Sequence, residues 1–168
     1  MKILNEVSES DVWQHWKQVE SFNDDNFRSD IRDPLPKDLK WFLAEVENAD
    51  LDRLYIISSG DWSDISDGTY RVRNVVNNLN QQSTNLNTQR IIADIRKKME
   101  FLDGGGELDT RLIAVTNLQD LSGPFTFIEG NRRSVTFFAR NAIVGCHIYI
   151  GVSSEIISYG WARKSFAK

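Results

Sequence analysis

The sequence predicts an α+β chain: strands interleaved with helices, and a helical segment over residues 1–50 packed on them. Three observations predict it. Short apolar runs recur at Arg53–Ser58, Arg111–Thr116, Phe125–Ile128 and Cys146–Ile150, each of strand length. The stretches between several of them carry apolar residues at helical spacing. The connection Asn117–Pro124 is too short for a crossover, so the strands on either side suit an antiparallel hairpin. The length fits one full domain with a proper core.

Composition narrows the function classes. Net charge is −4, so no global basic field advertises nucleic-acid binding, and any anion site must be a local concentration of arginine. The single cysteine, Cys146, excludes an internal disulfide and a multi-cysteine zinc site, and it reads as a small core residue. No run is long enough to span a bilayer and no signal-peptide core is visible, which points to a reducing, cytoplasmic setting without membrane contact.

Taken in order, Ser8 offers an N-cap and Asp11 suits the first turn of a helix whose apolar face is Val12, Trp13, Trp16 and Val19. His15 falls on another face and reads as solvated. Residues 21–33 read as a loop. Asp24, Asp25 and Asp30 lie in it without the spacing of a calcium loop. After Pro34 and Pro36, residues Leu39, Phe42, Leu43 and Val46 step as a second helix. The strand Arg53–Ser58 and the turn Gly60–Trp62 follow. Val72, Val75, Val76 and Leu79 predict a short helix with Arg71 and Arg73 near its start. Residues 80–88 read as a surface loop, with Thr88 as cap of a helix striped by Ile91, Ile92, Ile95 and Met99. Arg96, Lys97 and Lys98 face outward, and Gly104–Gly106 stops that helix. In Cys146–Ile150, His147 and Tyr149 share one face. Ser153 caps a last short helix, and Trp161 anchors the tail.

The stretch that carries chemistry is Phe125–Arg140, read as strand, tight turn, helix. Gly130 permits a sharp turn, and Val135, Phe138 and Ala139 have helical spacing. Asn131, Arg132 and Arg133 then stand at the helix start. Unpaired backbone N–H groups and the helix dipole favour an anion there, and two guanidiniums beside them make a phosphate cradle. The same residues also read as an arginine pair solvated on an exposed helix.

Ile128-Glu129-Gly130-Asn131-Arg132-Arg133, leading to the apolar strand Val144–Ile150, resembles the strand–Gly-x-Arg-Arg–helix element of the ParB/sulfiredoxin-like superfamily. Upstream, Ile91–Leu112 resembles its helix ending in glycine before a Leu-Ile-x-Val strand. The resemblance covers Arg53 to Gly151. It implies a small mixed sheet with helices around a nucleotide-phosphate pocket, in a domain spanning residues 51–168. It also implies ATP or CTP with Mg²⁺ as ligand. By position, Gly130, Asn131, Arg132 and Arg133 face the phosphates. Glu129 is the acidic residue before the turn, a base or metal-assisting group. Gly60–Arg73 takes the place of the first phosphate-contacting box, with Arg71 as a second cationic contact. Asn131 stands where sulfiredoxins carry a reactive cysteine, so sulfinic-acid reduction is not expected. Nor is sequence-specific DNA partitioning, which needs a helix-turn-helix reader.

Three functions follow: a nucleotide-binding domain, with or without hydrolysis or phosphoryl transfer; a small nuclease or toxin acting on nucleic acid; or a non-catalytic interaction module. The last would use Trp13, Trp16, Trp41 and Phe42 as a partner surface. The acidic net charge counts against the second.

Overall fold

Residues 1–21, 26–118 and 120–167 are described by the computed structural model, which threads six strands into one mixed sheet. They are β1 (Lys2–Val7), β2 (Lys40–Glu45), β3 (Leu54–Tyr55), β4 (Ile113–Thr116), β5 (Phe125–Glu129) and β6 (His147–Val152), in the spatial order β1-β2-β6-β4-β5-β3. Every residue of β4 and β5 is buried. That is why, apart from Glu129 at the end of β5, both read as apolar or β-branched runs without polar alternation. They pair antiparallel, with Ile113 opposite Glu129 and Ala114 opposite Phe127, as the short connection between them predicts. β6 runs parallel to β4 and antiparallel to β2, and β3 runs parallel to β5. Asp24 and Asp25 lie outside the described residues.

The expected helix over Leu39–Val46 is instead β2. Trp-Phe-Leu-Ala is a contiguous apolar run, and such a run satisfies the helical period and a strand covered on both faces equally well. Here it pairs with β1 on one side and β6 on the other, so the strand wins. Residues 1–50 are therefore not simply helical: they supply two strands besides α1 (Glu9–Val19) and the single turn α2 (Ser29–Arg32). α1 begins as expected, with Ser8 and Asp11 in a reciprocal capping box.

α1 lies over the face of β2 and β6 that carries Trp41 and Tyr149. Trp13 meets Trp41 edge-on at 5.3 Å and His15 meets the Tyr149 ring at 5.4 Å. His15 is thus buried, not solvated, and its Nε2 lies 3.0 Å from the Arg111 carbonyl. Trp16 and Trp41 are core residues as well, so the tryptophans proposed as a partner surface are largely spent on internal packing.

The remaining helices are α3 (Val72–Asn77), α4 (Leu86–Asp103) and α5 (Asn131–Ala139), with α5 packed against the other two. α4 is capped by Asn85, whose side chain accepts from the Asn87 and Thr88 N–H groups. Thr88 is buried in its first turn instead of capping it. The glycines at 104–106 end it as expected. Cys146 is buried, and burial pushes its thiol up to about 11, as suits a small core residue. Ser153 caps a 3₁₀ turn over Ser154–Ser158. The tail is pinned by Trp161, whose indole N–H donates to the Asp30 carbonyl at 2.8 Å and whose carbonyl accepts from Ser58 N–H at 2.7 Å. No helix among the described residues is long and apolar enough to cross a membrane.

Candidate functional site

β5 delivers Glu129 into the interior, and Gly130 then turns the chain. Its φ of 76° is left-handed, and an added Cβ would lie 2.5 Å from Leu112 Cδ2, so both conformation and space require glycine. The first helical bond of α5 runs from Ser134 N–H to the Gly130 carbonyl at 2.8 Å. The N–H groups of Asn131, Arg132 and Arg133 precede it, in the first turn where no intrahelical acceptor exists. Asn131 ties the turn to the neighbouring segment, its Oδ1 accepting the Ile57 N–H at 2.9 Å.

The two arginines part company here. Arg133 is buried, and its Nη2 donates to both oxygens of Glu129, at 2.7 and 2.8 Å. Its Nη1 donates to the Asp109 carbonyl at 2.7 Å. Burial pushes the Glu129 carboxyl above its ordinary range, while Arg133 pulls it back only in part. Glu129 and Arg133 thus form an internal brace across the first turn of α5. Arg132 keeps 48% of its side chain exposed and reaches Asp94 of α4 at 3.2 Å. Asp94 also holds Lys98, at 3.1 Å. Burial opposes ionisation of Asp94, but Lys98 and then Arg132 outweigh it and hold the carboxyl below its usual value.

Arg132 borders a cleft of about 820 Å³, within the size range of small-molecule sites. The start of α5 forms one wall. Ile57, Ser59 and Trp62 form another, and Arg28 and Trp161 line it as well. Seven carboxylates line it against four basic side chains. Among the described residues no group of three or more His, Cys, Asp or Glu side chains is placed to hold a metal ion by itself.

Of the residues singled out in the sequence, Glu129, Gly130, Asn131, Arg132 and Arg133 all border this cleft, and Arg71 does not. Arg71 stands at the N-cap of α3 with its guanidinium 5.6 Å from the centre of the Tyr55 ring. His147 is also remote: it is exposed and faces Glu45 at 3.6 Å. Asp94, Lys98, Arg28 and Trp161 were missed. Asp94 and Lys98 form an i,i+4 pair that in sequence looks like any solvated helix face. Only the packing of α4 on α5 makes it part of a site. Comparison of the chain with protein-family models, with curated proteins and with solved structures gives no match.

Proposed function

We propose that the chain binds a phosphate-bearing small molecule, a nucleotide such as ATP or CTP, at the first turn of α5, in a domain of ParB/sulfiredoxin-like type. The observation that carries it is the division of labour between the paired arginines. Arg133 is consumed in holding the turn rigid, while Arg132 stays half exposed at the mouth of a cleft beside unpaired helix N–H groups. A guanidinium and a helix N-terminus aimed at one space favour phosphate oxygens. Glu129, buried with both oxygens held by Arg133, braces that turn and is not placed to take a proton from a ligand.

The surplus of carboxylates argues that the phosphate arrives with a divalent cation. Bare triphosphate would meet net repulsion in this cleft. Mg²⁺ characteristically takes one or two carboxylates and completes its shell with phosphates and water, so a dedicated cage is not required. Asp61 and Asp94 are the residues that would hold it, and when bound it would neutralise phosphate charge. The acidic lining also disfavours a nucleic-acid backbone, whose charge cannot be masked by one ion.

Thermal unfolding of the full chain with ATP and CTP, each with and without Mg²⁺, tests this. A nucleotide at about a hundred times its Kd adds about 2.7 kcal/mol, or roughly 5–10 °C for a chain of this size. The shift is expected with Mg²⁺, lost in Arg132→Ala and kept in Arg71→Ala. No shift with any nucleotide ends the proposal.

A further inference from the structure

Besides Arg132, Asp94 and Lys98, the cleft is lined by Trp161 and Arg28. Trp161 is partly exposed there, and its indole edge is committed, because Nε1 donates to the Asp30 carbonyl at 2.8 Å. What the ring has left to offer a ligand is its π face. Arg28 lines the same cleft, and two features set it apart. Its backbone is left-handed, with φ of 48°, a conformation that costs a non-glycine residue energy and gathers at ligand-binding positions. Its Nε is buried and has no hydrogen-bond partner among the described residues, and its ion pair with Asp30 Oδ1 spans 3.6 Å, beyond hydrogen-bond reach. The side chain as a whole keeps 39% of its surface exposed where it lines the cleft, so the rest of its guanidinium is within a ligand's reach.

We propose that Trp161 and Arg28 form a nucleobase subsite: the base stacks on the Trp161 ring, and Arg28 donates to an acceptor on its edge. This rests on the phosphate reading of the α5 turn and adds what that reading lacks, a reason for the cleft to prefer nucleotides over other phosphates. Every base has a π face and at least one ring or carbonyl acceptor, so the pair suits a nucleoside. A sugar phosphate or an inorganic polyphosphate has oxygen acceptors but no π face to stack on the ring. At about 820 Å³ the cleft is large enough to take a nucleotide.

The test is calorimetric titration of the full chain, in Mg²⁺, with ATP, CTP and inorganic tripolyphosphate. Stacking of this kind is worth about tenfold to a hundredfold in affinity. At least one nucleotide is therefore expected to bind at least about tenfold more tightly than tripolyphosphate. Trp161→Ala should erase that margin and leave tripolyphosphate binding unchanged, while Trp161→Phe should retain most of it. Arg28→Gln should weaken the nucleotide alone, and it serves if loss of the indole loosens the tail. Arg132→Ala should weaken all three. Equal binding of nucleotides and tripolyphosphate to the unaltered chain overturns the base subsite and leaves phosphate binding standing. No binding of any of the three overturns both.

Discussion

The start of α5 and the start of α3 each combine a turn, the first residues of a helix and two nearby arginines. At α3, Arg71 lies over the Tyr55 ring and Arg73 pairs with Asp52 at 2.8 Å, on the surface. At α5, one arginine is drawn inside by a carboxylate four residues earlier, and the other is left over a cleft. The difference does not lie in the arginines. It lies in Glu129, the last residue of a fully buried strand, whose carboxyl is almost wholly shielded from water and must be answered by a cation from the next turn. A buried acid before a glycine turn thus converts a solvated arginine pair into one brace and one outward-facing contact.

Breaking the brace should have the largest effect. Glu129→Ala leaves buried Arg133 with only the longer Asp109 ion pair, 3.8 Å away, and losing a buried partner costs roughly 3–5 kcal/mol, read by denaturant unfolding. Arg133→Met alone should cost a similar amount, whereas the double variant Glu129→Leu with Arg133→Met should recover most of the stability. If the single changes cost no more than Arg71→Ala, the two helix starts are not different in kind. That exposed cation–π contact should be worth only about 0.5–1 kcal/mol.

Glycine offers the next contrast. Gly130→Ala combines a left-handed backbone, about 1–2 kcal/mol, with a clash against buried Leu112, which adds about 1–3 kcal/mol. Gly145→Ala has a similar φ, 87°, but open space around its Cβ, so it should lose only the backbone part. Thermal unfolding of the two variants separates conformation from crowding.

The smallest effects are in pH, and the carboxylates that partner the two arginines of α5 should titrate in opposite senses. Glu129 is raised, so its contribution to stability is complete below its ordinary 4.5 and is lost as pH rises through the raised value. Asp94 is lowered, so its contribution is present above its ordinary 3.8 and is lost as pH falls through the depressed value. Carboxyl NMR titration should show the Asp94 midpoint moving upward in Arg132→Ala. An unchanged midpoint would mean that Arg132 does not engage it.

Much of this site was legible in the sequence because it is local. Strand, glycine turn and helix occupy consecutive residues, so β-propensity, the demand for positive φ and helical spacing reveal them without tertiary information. The roles of the two arginines were not legible: which one turns inward depends on the burial of Glu129 and on the Asp109 carbonyl from a distant loop. Arg71 shows the reverse case: its local ingredients match those at α5, yet the fold sets its guanidinium over the Tyr55 ring, outside the cleft. β2 was misread because a four-residue apolar run carries no period of its own, and its neighbours β1 and β6 decide the matter. His15 belongs with it: a lone histidine on a polar helix face looks solvated until Arg111 arrives from the other end of a long connection.

The position of β6 has a consequence for how the chain assembles. β1 and β2 reach the centre of the sheet only through β6, with Lys40 paired to Val152. A lone two-stranded ribbon is marginal in water. During synthesis, the β1–β2 pair and its tryptophans must therefore wait, unsheltered, until β6 has emerged, although β3, β4, β5 and the helices α3, α4 and α5 are made in between. Refolding from denaturant should be governed by this late, long-range closure, and the interval before it is when the chain is most exposed to aggregation.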